Sequence, residues 1–169
     1  LKDRVKESLA RLERESYVAR QGDTYSFLTD EEQEIAQEIA RTPIDNAKVI
    51  EYIKKRLFES IYTARKLNRG TNDFPFDRYV DGSIHGSNMG GMELSVVTMA
   101  SDLGRADDAE LALKSVDKAI VALSDEVDYW APLVNAAKIR MYAQTRNLQE
   151  LPPSTRQIVE AKMREKDFN

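Results

Sequence analysis

Apolar residues recur at helical spacing first at Val5, Leu9 and Leu12, which predicts a helix over residues 4–16 whose other faces carry Arg4, Lys6, Arg11 and Arg14 among several glutamates. A short alternating stretch follows. Tyr17 to Ala19 faces Thr24 to Leu28 across Arg20-Gln21-Gly22-Asp23, a β-hairpin in which glycine supplies the turn. Thr29-Asp30-Glu31-Glu32 has the form of a capping box and opens a second helix with Ile35 and Ile39 inward, ended by Pro43. Phe27, Leu28, Ile35 and Ile39 are expected to pack on Leu9 and Leu12. Asp45 then caps a long helix with Val49, Ile53, Leu57 and Ile61 in one stripe, widened by Ile50 and Phe58 and stopped by Asn68 and Gly70.

Beyond Asp73 the periodicity changes. Residues 76–80, an Asp81-Gly82 turn and residues 83–86 predict a hairpin, and Met89-Gly90-Gly91 leads into a strand over 93–99. A short helix over 106–115 and an apolar strand over 118–123 come next. Ser124 or Asp125 can cap a helix reaching Arg146, with Val127, Trp130, Val134, Ala137 and Met141 inward. Leu151-Pro152-Pro153 breaks it, and Ser154 or Thr155 can cap a last helix carrying Ile158, Val159 and Met163. The fold class expected is α+β. Residues 1–42 read as the closing portion of a winged-helix module, 43–70 as a connecting helix, 71–147 as a small mixed α/β module, and 148–169 as a helix that continues in a parent protein. The opening at Leu1, without Met, agrees with an internal piece of a longer chain.

Composition narrows the function classes. The 169 residues hold no cysteine and one histidine, which excludes disulfide frameworks, thiolate metal cages and histidine-cluster zinc sites. No apolar run approaches the roughly 20 residues of a membrane-spanning helix, so a cytoplasmic protein is expected. The net charge of −4 is uneven: 45–69 and 131–169 are basic, whereas 102–130 is acidic. Lys54, Lys55, Arg56, Arg65, Lys66 and Arg69 read as a solvated helix face.

Candidate chemistry is sparse. Gly82, Gly86, Gly90, Gly91 and Gly104 are not followed by the Lys-Ser/Thr of a phosphate-binding loop. His85 near Asp81 has no nucleophile at a recognised spacing and reads as a structural histidine. Asp102-Leu103-Gly104-Arg105 places arginine where a calcium loop needs a ligand. No catalytic, cofactor or metal site is expected. In a winged helix the first helix and the hairpin tip meet DNA, which makes Arg4, Arg11, Arg14 and Arg20 the candidate nucleic-acid contacts. Glu7, Glu13, Glu15 and Asp23 oppose phosphate on the same segment, so weak DNA binding is expected.

The string from Gly22 to Ile35, GDTYSFLTDEEQEI, resembles the "Y-x-FLT-x-EEQ-x-I" stretch of the large P-loop ATPases of BREX phage-exclusion systems, the BrxC/PglY type. Further similarities run in the same order. Phe76 to Gly82 resembles the "F-x-F-x-x-x-VDG" region of that family and Glu93 to Thr98 its following strand; Leu113-Lys114-Ser115 and then Ala119 to Asp125 resemble "LR-x-x-S" and an apolar strand ending in "LPDD", from which Ser124 and Glu126 depart. The resemblance implies a segment of a very large ATP-binding protein whose nucleotide site lies elsewhere. Such a segment would couple that ATPase to other defence-system subunits or DNA. The alternative is a winged-helix transcriptional regulator with an attached sensing domain.

Overall fold

The computed structural model describes residues 2–21, 23–123 and 128–168, and its contacts divide the chain into two units, Leu1–Pro43 with Lys138–Asn169, and Ile44–Ala137. In the first unit the expected helix, hairpin and helix follow one another: α1 (Lys2–Arg14), β1 (Val18–Gln21) paired antiparallel with β2 (Thr24–Phe27), and α2 (Asp30–Arg41). The strands leave only two residues between them, of which Gly22 lies outside the described residues. The capping box is formed, with the Glu32 amide donating to Thr29 Oγ1 at 3.3 Å and the Thr29 amide donating to Glu32 Oε2 at 2.8 Å.

The packing partners differ from expectation. Helix α1 buries none of its residues, Leu9 and Leu12 are only half-buried, and Phe27 is 85% exposed. Three large apolar side chains in thirteen residues give α1 too little surface to hold Ile35 and Ile39. Those two isoleucines instead join Ile139, Tyr142 and Ala143 from the second half of α5 (Trp130–Thr145) and Val159 from α6 (Pro153–Phe168), with Leu148, Ile158 and Met163 around them. Helix α6 starts on a proline at its first position, where a missing N–H costs nothing. The hydroxyls of Ser154 and Thr155 therefore do not cap it; they donate to Glu31 Oε1 at 2.8 and 3.0 Å.

In the second unit Asp45 caps α3 (Asn46–Lys55), accepting from the Lys48 amide at 2.8 Å. The helix then widens into a π turn over Arg56–Ile61, where the Tyr62 amide reaches the Leu57 carbonyl at 2.7 Å. That extra residue rotates the buried stripe from Val49 and Ile53 to Phe58 and leaves Ile61 exposed. The helix stops there and not at Gly70, because residues 66–69 form β3 (Lys66–Arg69), paired antiparallel with the first half of β4 (Asn72–Val80).

The sheet order is β3-β4-β6-β7, with β5 (Ser83–His85) also on β4. Strands β4, β6 (Met92–Val97) and β7 (Lys118–Ala122) run parallel, and α4 (Asp108–Lys114) provides the crossover between the last two. Val49, Ile53, Phe58, Val80, Val96 and Ala137 form the core, flanked by Trp130, Leu133 and Val134. Helix α5 begins at Trp130, with Asp128 Oδ1 accepting from the Ala131 amide at 3.2 Å; the expected caps Ser124 and Asp125, and Val127, lie outside the described residues.

Candidate functional site

The β4–β5 hairpin turns on Asp81 and Gly82, both left-handed at φ 47° and 75°, a type I′ pattern that an Asp-Gly pair tolerates. This turn aims the Asp81 carboxylate at the end of β6. Its Oδ1 accepts from the Thr98 amide at 2.7 Å and its Oδ2 from the Thr98 hydroxyl at 2.6 Å, and Thr98 has no exposed surface. The loop after β6 is tied down further: the Ala100 amide donates to Thr98 Oγ1 at 3.2 Å, the Gly104 amide to Ser101 Oγ at 3.1 Å, and the Met99 amide to the Tyr129 hydroxyl at 2.9 Å. Ligands in open α/β sheets bind at the carboxyl ends of parallel strands. Here those ends are occupied by the chain's own bonds.

A second cluster lies where α3 and the π turn meet the hairpin. The Lys54 ammonium, 7% exposed, donates to Ser83 Oγ at 2.9 Å and the Ile84 carbonyl at 3.0 Å and pairs with Glu51 Oε2 at 2.7 Å, which uses all three of its protons. Lys54 is thus not on a solvated face, unlike the exposed Lys55, Arg65, Lys66 and Arg69. Its place four residues after Ile50, on the apolar stripe, is the sequence signal that marks it. Arg78 is buried in the middle of the sheet, donates to the Phe58 carbonyl at 3.1 Å and sets its guanidinium 5.1 Å from the Phe58 ring centre. A cation at this carbonyl satisfies one of the acceptors left over at the end of a helix.

His85, the cross-strand partner of Arg78, also rests against Phe58, ring centres 5.5 Å apart, with Nε2 3.7 Å from Glu59 Oε1. Burial, then the nearby Arg78 charge, lowers the His85 pKa below its ordinary 6.5, against the weaker opposite pull of Glu59. As the chain has one histidine, its ring C–H proton resonance titrates alone, and a midpoint below 6.5 is expected by NMR. A midpoint at or above 6.5 would mean that Glu59 outweighs burial. Asp81 and His85 are not joined into an acid–base pair: Asp81 is bound to Thr98, and His85 faces Phe58 and Glu59.

The four arginines singled out for nucleic acid are on the surface of the first unit. Arg4 is exposed, Arg11 is paired with Glu15 at 2.9 Å, Arg14 borders a shallow depression shared with Tyr17, Gln37 and Arg41, and Arg20 lies 5.9 Å from the Tyr25 ring centre. Glu15 offsets the charge that Arg11 would offer to phosphate. A groove of about 490 Å³ in the same unit is lined by Glu38, Arg41, Tyr142 and Arg146. The Tyr142 hydroxyl donates to Glu38 Oε2 at 2.7 Å, and burial together with that carboxylate pushes the phenol up to about 12.

Among the described residues no buried side-chain nitrogen or oxygen lacks a hydrogen-bond partner, no cluster of three acidic or histidine residues could hold a metal, and no helix is long and apolar enough to cross a membrane. No solved structure matches the chain. Residues 42–168 match the family described as the BREX ATP-binding protein BrxC 4th domain with six-stranded beta sheet. The Gly22–Ile35 string, the most specific of the resemblances read from the sequence, lies outside that span, whereas the Phe76–Gly82 and Glu93–Thr98 segments fall inside it as β4, its turn and β6. With well over half of its length matched, the chain belongs to the BrxC family of BREX ATP-binding proteins.

Proposed function

We propose that this chain is a non-catalytic interaction and coupling module of a large ATP-binding protein in bacterial anti-phage defence, working in the cytoplasm without a cofactor of its own. The observation that carries this reading is an apolar surface at the α4–β7 margin, where Leu113 is 76%, Val116 86% and Val121 46% exposed. Large apolar side chains left this exposed within nine residues suit a surface that meets another protein. Lys54, Arg78, Asp81 and His85, the groups with most chemical potential, are held in structural contacts, which supports the same view. Its partners are the rest of the parent ATPase and other subunits of the defence system.

A second reading, a winged-helix DNA-binding regulator, draws on the order of α1, hairpin and α2 and on Arg4, Arg11, Arg14 and Arg20. The two separate by titration of the 169-residue chain. Calorimetry with Mg-ATP is expected to be flat, and duplex DNA is expected to bind no tighter than about 10⁻⁴ to 10⁻⁶ M at physiological salt. Saturable micromolar ATP binding would end the non-catalytic reading. Nanomolar DNA binding, weakened by Arg4→Ala, Arg11→Ala or Arg20→Ala, would put the regulator in its place.

A further inference from the structure

Strand β7 ends the sheet, and among the described residues no strand pairs with its outer side. The Leu123 amide donates to the Val97 carbonyl at 3.0 Å, so by the alternation of a strand Ala119 and Val121 also turn their N–H and C=O groups to β6, while Ile120 and Ala122 turn theirs away. The one charged residue of β7, Lys118, is drawn to Glu93 on β6, and residues 119–123, Ala-Ile-Val-Ala-Leu, contain no charge, proline or glycine. Proteins blunt exposed edges with such residues, as Lys66 and Arg69 do on β3 at the opposite margin of this sheet. An apolar edge left unblunted is a template for another strand.

We propose that the outer edge of β7 accepts a strand from a partner, an extended segment with β-branched residues in its middle and lysine or arginine at its ends. The proposal gives the coupling module its docking surface and rests on that reading. Charge selects the occupant. Asp117 stands exposed just before β7, Asp128 is exposed ahead of α5, and Asp107, Asp108 and Glu110 are exposed at the start of α4. They are opposed by Arg105, by Lys114 and by Lys118, which Glu93 already holds at 3.2 Å. A second copy paired antiparallel along β7 would set Asp117 of each chain against the acidic end of the other. A cationic-ended strand meets attraction at both ends.

The experiment is amide hydrogen exchange by NMR on the 169-residue chain, with the synthetic peptide KRVTVTVRK as probe and EEVTVTVEE as its charge-reversed control. The cationic peptide is expected to slow exchange at Ile120 and Ala122 by about tenfold or more, and the acidic peptide to leave both unchanged. Ala122→Pro removes an outward N–H that no strand of the sheet uses, so it should abolish the protection with the sheet intact. Val121→Lys, which adds a charge to the exposed edge, should weaken it and serves if the proline variant does not fold. Unchanged exchange at both amides, equal protection by the two peptides, or protection that rises with protein concentration alone would each overturn the proposal, the last by naming a second copy as the occupant. A Mg-ATP or DNA signal would remove the coupling reading without touching these two amides.

Discussion

Gly104→Ala is expected to destabilise the second unit by more than about 4 kcal/mol, at the rare end of single substitutions. Gly104 sits in the short helical turn Asp102–Arg105, and a β-carbon there would lie 1.8 Å from the Thr98 carbonyl oxygen and 2.5 Å from its carbon. Both are backbone atoms, so rotating a side chain gives no relief. Thr98 cannot retreat either, because it is wholly buried and its amide and hydroxyl are both fixed by Asp81. Relief must come from moving the loop, which breaks the Gly104 bond to Ser101 or the Met99 bond to Tyr129. Gly82→Ala is the control: nothing lies within 4 Å of its added carbon, and only the left-handed φ of 75° resists, at about 1–2 kcal/mol. Urea unfolding followed by the fluorescence of Trp130, the single tryptophan, measures both. Equal losses in the two variants would show that the Thr98–Gly104 contact is not tight.

What the sequence disclosed was local. The Thr29–Glu32 box, the Asp45 cap and the Asp81-Gly82 turn are each determined by a few adjacent residues, and each forms as the residue types require. Strand β3 was not legible, because its one apolar residue, Leu67, is exposed and the strand is held by the ladder to β4 and by Asp73, which pairs with Lys66 and accepts from Asn68 at 2.6 Å. Asn68 and Gly70, which resemble a helix stop, belong instead to a hairpin, with Gly70 at φ 64°. Propensity at such a segment yields to tertiary pairing. The partners of Ile35 and Ile39 arrive about a hundred residues later, in α5 and α6, beyond any window that periodicity can examine. Likewise Phe58, Arg78 and His85 are unremarkable apart from one another, and only the folding of β4 and β5 against the π turn makes them a cluster.

That cluster sets the other large effect, since Phe58→Ala is expected to cost about 3–5 kcal/mol and Phe58→Leu under about 1.5 kcal/mol. The ring is 2% exposed and is touched by both Arg78 and His85, so its loss opens a cavity bordered by a buried guanidinium and the imidazole. Arg78 keeps its bond to the Phe58 carbonyl, which alanine also provides, and the cost is therefore one of packing and the cation–ring contact. A second readout separates this from general loosening. Burial is the first cause of the lowered His85 pKa, and water admitted to the cavity should raise it back toward 6.5. In the parent chain the neutral imidazole is the form that folding favours, so its contribution to stability is present above 6.5 and declines as pH falls from there through the lowered folded value. In Phe58→Ala that slope should flatten, because the folded and unfolded values converge. Urea midpoints across this range, with the histidine resonance followed in parallel, test the account, and a variant that loses stability while His85 titrates as before would show that Phe58 packs against the sheet without shielding the imidazole.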